Sequence, residues 1–113
     1  MLSDMFRPAT DLMNVPHDDN YSFVEWFEGD ARIVISYTRQ GDALDMHFAA
    51  NKPALRLLRV AFDDFVELVK KKASWCTMII MISDKPGVLR FVKKLGFKYM
   101  SDLEECKIYA RFM

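Results

Sequence analysis

The last third of the chain, Trp75 to Phe112, constrains the fold more than any other stretch. An apolar run from Cys76 to Ile82 ends at the breaker cluster Ser83-Asp84-Lys85-Pro86. It is too short for a buried helix and reads as a buried strand. A short amphipathic helix follows and closes at Gly96, a residue suited to the left-handed position after a helix. Phe97–Met100 and Lys107–Phe112 then alternate like half-buried strands, with an acidic turn at Glu104-Glu105.

The segment before it has its own pattern. Phe23–Phe27, Arg32–Thr38 and Leu44–Phe48 are rich in β-branched and aromatic residues and are separated by Gly29-Asp30 and Gly41-Asp42. That spacing predicts a three-stranded antiparallel meander, with a helix over Tyr21–Phe27 as the competing reading of the first segment. Asn51 is placed to cap a long helix, with Pro53 in its first turn. Leu55, Leu58, Phe62, Phe65 and Val69 recur at helical spacing and predict its buried stripe. Lys70-Lys71-Lys72 ends the helix, where positive charge suits the dipole and solvates the end. Asn51-Lys52-Pro53 and Asp84-Lys85-Pro86 repeat one pattern, an Asx cap, a lysine and a proline, at two strand-to-helix junctions.

Residues 2–15 place Met5, Phe6, Ala9, Leu12 and Met13 on one helical face, with Ser3 or Asp4 as a cap. Pro8 breaks it, so one or two short helical turns are expected, then a loop from Pro16 to Asn20. The expected layout is one domain over 1–113: an N-terminal helical and loop segment, 1–20, and a core, 21–113. Its class is α/β (α+β), a mixed sheet with two helices packed on it.

Composition narrows the function classes. The chain has 113 residues, 28% charged and 51% hydrophobic, with 16 basic and 16 acidic side chains. That fits one small globular domain, and zero net charge argues against nucleic acid as a partner. No apolar run is long enough to span a bilayer. The N-terminus lacks a basic region leading into an apolar segment, so a reducing compartment is expected. Cys76 and Cys106 then read as reduced cysteines inside strands. The methionines, eight in number, are expected mostly in the core, Met46, Met78 and Met81 above all, with others on an adaptable partner face.

Meander, long helix, strand, short helix, strand, strand is an order that resembles the GNAT-fold acyltransferases from their second strand onward. The best local match is Val88-Leu89-Arg90-Phe91-Val92-Lys93-Lys94-Leu95-Gly96-Phe97. It is similar to the family's C-terminal helix, commonly Ala-x-x-(Phe/Leu)-Tyr-x-Lys-x-Gly-Phe, at Lys94, Gly96 and Phe97. The resemblance implies a cleft for an acyl-coenzyme A between the third meander strand and the Cys76–Ile82 strand. Ala50, Asn51, Lys52 and Arg56 would be its cofactor-binding residues if that cleft functions.

Three departures point away from catalysis. The family tyrosine that protonates the leaving thiolate aligns with Val92, which has no proton to give. The asparagine usual before this helix aligns with Lys85. The family loop Arg/Gln-x-x-Gly-x-Gly/Ala, whose bare amides cradle pyrophosphate at a helix N-terminus, is replaced by Ala49-Ala50-Asn51-Lys52-Pro53-Ala54 without a glycine. The expectation is therefore no catalytic residue and no cofactor, with acetyl-coenzyme A needed only under the enzymatic alternative.

Ile33–Asn51 together with Phe91–Phe97 also resembles a family of small head-assembly proteins of short-tailed enterobacterial phages. That resemblance implies a virion-assembly role through contacts with phage structural proteins, or with further copies of the chain. It implies a location in the host cytoplasm, the virion or both.

Other candidate sites are bland. Asp45 and His47 share one strand face, but no Cys or further His joins them at ligand spacing, so no metal site is expected. His17-Asp18-Asp19 reads as a solvated loop triplet. No Gly-x-Ser-x-Gly elbow surrounds any serine. Asp63 and Asp64 are adjacent on a helix and so point about 100° apart. The aromatics Tyr21, Trp26, Phe27, Tyr37 and Phe48 read as core rather than as a stacking surface for bases.

Overall fold

The computed structural model describes residues 5–9, 11–13, 15 and 19–113. Seven strands form one sheet: β1 (Phe6–Arg7), β2 (Ser22–Glu28), β3 (Ala31–Gln40), β4 (Ala43–Ala50), β5 (Met78–Ser83), β6 (Lys98–Leu103) and β7 (Cys106–Phe112). Their spatial order is β1-β2-β3-β4-β5-β7-β6. Helix α1 (Leu58–Lys72) joins β4 to β5, and α2 (Pro86–Val92) follows β5. The meander is present as β2, β3 and β4, and the helical alternative for Tyr21–Phe27 falls away. Every neighbouring pair is antiparallel except β4 and β5. These two are parallel, because the intervening α1 returns the chain to the same end of the sheet.

Both helices cover one face. Phe48 meets Phe62 edge-on at 5.1 Å, and Tyr37 meets Phe65 at 5.9 Å, so alternate residues of β3 and β4 point at α1. Trp26, Ile33, Ile35, Met46, Ile79 and Phe62 are almost wholly enclosed in this core. The buried stripe of α1 is Leu58, Ala61, Phe62, Phe65, Val66 and Val69.

Leu55 departs from the expected stripe and is 46% exposed. Residues Lys52–Leu57 form a 3₁₀-helix rather than the first turn of α1. Three residues per turn bring Ala54 and Leu57 onto one face and rotate Leu55 off it. Ala54 is fully buried in its place.

The caps also differ from expectation. Neither Asn51 nor Lys85, the residues at the two helix starts, makes a side-chain cap hydrogen bond. Asp84 precedes the cap position, and it is Ser83 Oγ that accepts the Lys85 N–H at 3.1 Å. At the far end of α2, Gly96 adopts φ +89° and Phe97 N–H reaches back to Val92 O at 3.1 Å. That is the left-handed closure expected there.

Within the described part of the N-terminal segment, Phe6 and Arg7 form a strand in place of the expected helical turn. Phe6 pairs with Trp26, Arg7 with Glu25, and Phe27 N–H donates to Met5 O at 2.9 Å. The free edge of β2 satisfies these backbone groups better than an isolated turn interrupted by Pro8 would. A single turn follows, with Val15 N–H donating to Leu12 O. The expected caps Ser3 and Asp4, and His17 with Asp18, lie outside the described residues. Cys76 is buried but precedes β5, and half-buried Cys106 opens β7; both thiols are free. Among the described residues no helix is long and apolar enough to cross a membrane.

Candidate functional site

The sheet opens between its two parallel strands. β4 and β5 are hydrogen-bonded only across Ala43–Met78, Leu44–Ile79 and Asp45–Ile80. Beyond that point β4 runs on to Ala50 and β5 to Ser83 without pairing each other. The result is a wedge whose apex is Asp45 and Ile80 and whose inner edges offer unpaired backbone groups. A cavity of about 250 Å³ lies in it. His47 and Phe48 line it from β4, Met81, Ile82 and Ser83 from β5, and Val88 from α2, with Val15, Asp84, Lys85 and Cys106 around the rim.

The apex is polar and enclosed. Asp45 is 8% exposed, and its Oδ1 has no hydrogen-bond partner. His47 Nε2 stands 3.7 Å from that oxygen, too long for a hydrogen bond but close enough for a charge contact. Burial pushes the Asp45 carboxyl above the usual aspartate range, and the neighbouring His47 partly opposes it. Ser36 lies opposite His47 on β3 and is fully buried, its Oγ likewise without a partner. The His47 ring also packs edge-on against Tyr21 at 5.9 Å. Asp45 and His47 thus share a face as their spacing requires. Among the described residues no group of three or more potential ligands gathers to hold a metal.

The junction at the open end of β4 holds the four residues expected to bind coenzyme A. Ala50 pairs with Ile33 as the last residue of the β3–β4 ladder. Asn51 is turned inward: its Oδ1 accepts the Arg32 N–H at 2.9 Å, and its Nδ2 donates to Asp30 O at 2.7 Å. Both ends of its amide are therefore engaged with the β2–β3 turn. Asn51 N–H donates to Arg32 O and Ala54 N–H to Asn51 O, while Pro53 has no N–H. Because Asn51 is the residue bonded across to Arg32, the alternation of the ladder turns the Ala50 N–H towards the wedge, and among the described residues the Lys52 N–H also has no backbone partner. Lys52 and Arg56 are exposed. A pyrophosphate would meet separate backbone donors and two exposed cations here, not the converging set of amides that a bare glycine loop presents.

On α2, Val92 is fully buried in the core, so its position faces packing and not the wedge. The side chain that α2 gives to the cavity is Val88. Neither can donate a proton.

Sequence reasoning missed Val15, Phe48, Val88 and Cys106 as wedge residues. Phe48 could have been found from strand alternation past the apex. Val15 could not, since nothing local says that its turn folds under the sheet.

No protein-family model matches the sequence, and no curated protein matches it. A solved structure does: the fold is similar to that of the N-acetyltransferase PseH of Campylobacter jejuni, with a TM-score of 0.64. The two are 11% identical, and the match covers 85% of this chain and 70% of that one. At that identity the likeness concerns the fold: this chain is a mixed α/β protein with a GNAT-like sheet, one long helix and one short helix.

Proposed function

We propose that this protein is a GNAT-fold module that works by protein contact rather than by acyl transfer. The observation that carries this reading is the closed β4–α1 junction, where Asn51 is tied to Asp30 and Arg32 and Pro53 removes a donor. Anchoring a nucleotide pyrophosphate needs several donors aimed at one point, and this junction, with no glycine and with Pro53 in place, offers no such converging set. The exposed surface suits contact. All six residues of the edge strand β6 are exposed. Tyr99, Met100 and Leu103 on β6 and Phe112 on β7 are four of the six large apolar side chains that lie open to solvent among the described residues. Exposed apolar side chains on and beside an open sheet edge are a docking feature. Phage head assembly, with phage structural proteins or further copies of the chain as partners, is the process that the sequence resemblance brings to this surface.

A second reading rests on the wedge. Its unpaired strand edges suit an extended, amide-bearing arm such as that of acetyl-coenzyme A. His47, backed by Asp45, stands where a base could take the proton of an acceptor amine. Under this reading the protein is an N-acyltransferase of unknown acceptor.

Titration calorimetry with acetyl-coenzyme A separates the two. The contact reading expects nothing tighter than about millimolar, near −4 kcal/mol. Micromolar binding, with chemical-shift changes at His47 and Phe48, would overturn it in favour of the transferase. On the contact reading, Leu103→Asp should abolish association with purified virion structural proteins of a short-tailed phage. Absence of any association in the unaltered protein would count against that partner class.

A further inference from the structure

A second and larger cavity lies at the opposite end of β4. It has a volume of about 570 Å³, between the C-terminal half of α1 and the face of β2, β3 and β4. Its origin is topological. β1 pairs with β2 only at Trp26 and Glu25, so among the described residues the Ser22–Val24 end of β2 has no strand partner on that side. α1 nevertheless runs on to Lys72 above it. Among the described residues no strand roofs the space that a longer first strand would cover.

The lining is apolar inside and cationic outside. Leu44, Phe65 and Val69 form a buried floor, and Val24, Tyr37 and Trp75 form half-buried walls. Sites of about 300–1,000 Å³ with such a lining hold small ligands. Arg7 and Lys72 border the cavity, and among the described residues no Asp or Glu does. Arg7 is committed elsewhere, bonded to Glu25 and stacked on Phe27 at 4.0 Å. Lys72 is exposed and has no partner among the described residues. Tyr37 pairs with Ser22 across β2 and β3, and burial raises the pKa of its hydroxyl, which stays protonated well past neutral pH. Trp75 is held in place by the Arg39 guanidinium, 4.1 Å from its ring.

We propose that this cavity binds a medium-chain aliphatic carboxylate, with its tail on Leu44, Phe65 and Val69 and its head at Lys72. One free ammonium, with no competing acid among the described residues, suits a compact monoanion. A phosphate ester carries more charge and needs more donors than this rim supplies. The site is independent of the wedge and of the contact surface on β6.

The test is calorimetry on the whole chain with decanoate, decanol and decylamine, together with amide and indole NMR shifts. Decanoate is expected to bind saturably and to move the signals of Leu44, Val69 and the Trp75 indole. Decylamine should bind at least about tenfold more weakly. Lys72→Glu, a change at an exposed helix end, should weaken decanoate by about tenfold, leave decanol unchanged and lower the thermal midpoint only slightly, the effect of a negative charge at a helix C-terminus. Leu68→Trp, which fills the cavity, should abolish binding of all three. The proposal is overturned by non-saturable decanoate binding, by decylamine binding as tightly as decanoate, or by shifts centred on His47 and Phe48. Unchanged decanoate affinity in the Lys72→Glu chain would equally overturn it.

Discussion

Asp45 and His47 sit side by side at the apex of the β4–β5 wedge, with Asp45 Oδ1 3.7 Å from His47 Nε2. The carboxyl is buried without a hydrogen bond at that oxygen, so folding favours its protonated form. The sign of the pH effect follows. A carboxyl whose folded pKa is raised binds more protons in the folded chain, so its contribution is full below the unfolded value of about 4. It is then lost as pH rises through the raised value. Asp45→Asn should therefore gain stability relative to the unaltered chain at pH 7 and gain nothing at pH 3. Urea unfolding at the two pH values checks this. An equal loss at both would mean that the carboxylate has a partner in solution.

Glu25 behaves in the opposite way. It is buried on β2 and accepts from Arg7 and from two nitrogens of Arg32, at 2.7 and 3.0 Å. Burial alone would raise its pKa, but the two arginines outweigh burial and lower it. Its contribution is thus present above the unfolded value and lost as pH falls through the folded one. Glu25→Gln should cost about 2–3 kcal/mol at pH 7, at the lower end for a broken buried pair because both arginines reach solvent. The loss should shrink in acid. Chemical denaturation over a pH series reads both effects.

Phe62 is 1% exposed and meets Phe48 edge-on. Replacing it by Ala should cost about 3–5 kcal/mol in equilibrium unfolding. A loss below about 1 kcal/mol would remove α1 from the centre of the core.

Gly96 holds φ +89°, where a side chain is strained whatever the space, and an added Cβ would stand 3.5 Å from the Arg111 side chain. That contact is ordinary, so the cost of Gly96→Ala is a backbone cost of about 1–2 kcal/mol. A fall in thermal midpoint without loss of the folded near-UV spectrum is the expected readout. An unchanged midpoint would show that the turn rearranges freely.

Much of the fold was legible before any coordinates. Alternation marked β2, β3, β4 and β7, and the stripe from Leu58 to Val69 marked α1, because side-chain periodicity is set within a few residues of backbone. Gly96 marked the end of α2 for the same local reason. The crossover through α1 also made β4 and β5 parallel, a consequence of connection length and handedness. Other features were decided only in three dimensions. Leu55 turned outward because the chain entered α1 through a 3₁₀-helix, a choice made where Asn51 anchors to Asp30 and Arg32, some twenty residues back. Phe6 and Arg7 became a strand because β2 offered an unpaired edge. The wedge at Asp45, the turn that brings Val15 under it and the cavity beneath α1 come from how far each strand pairs with its neighbour. Pairing length is a balance among distant backbone groups, and no local pattern in the sequence encodes it.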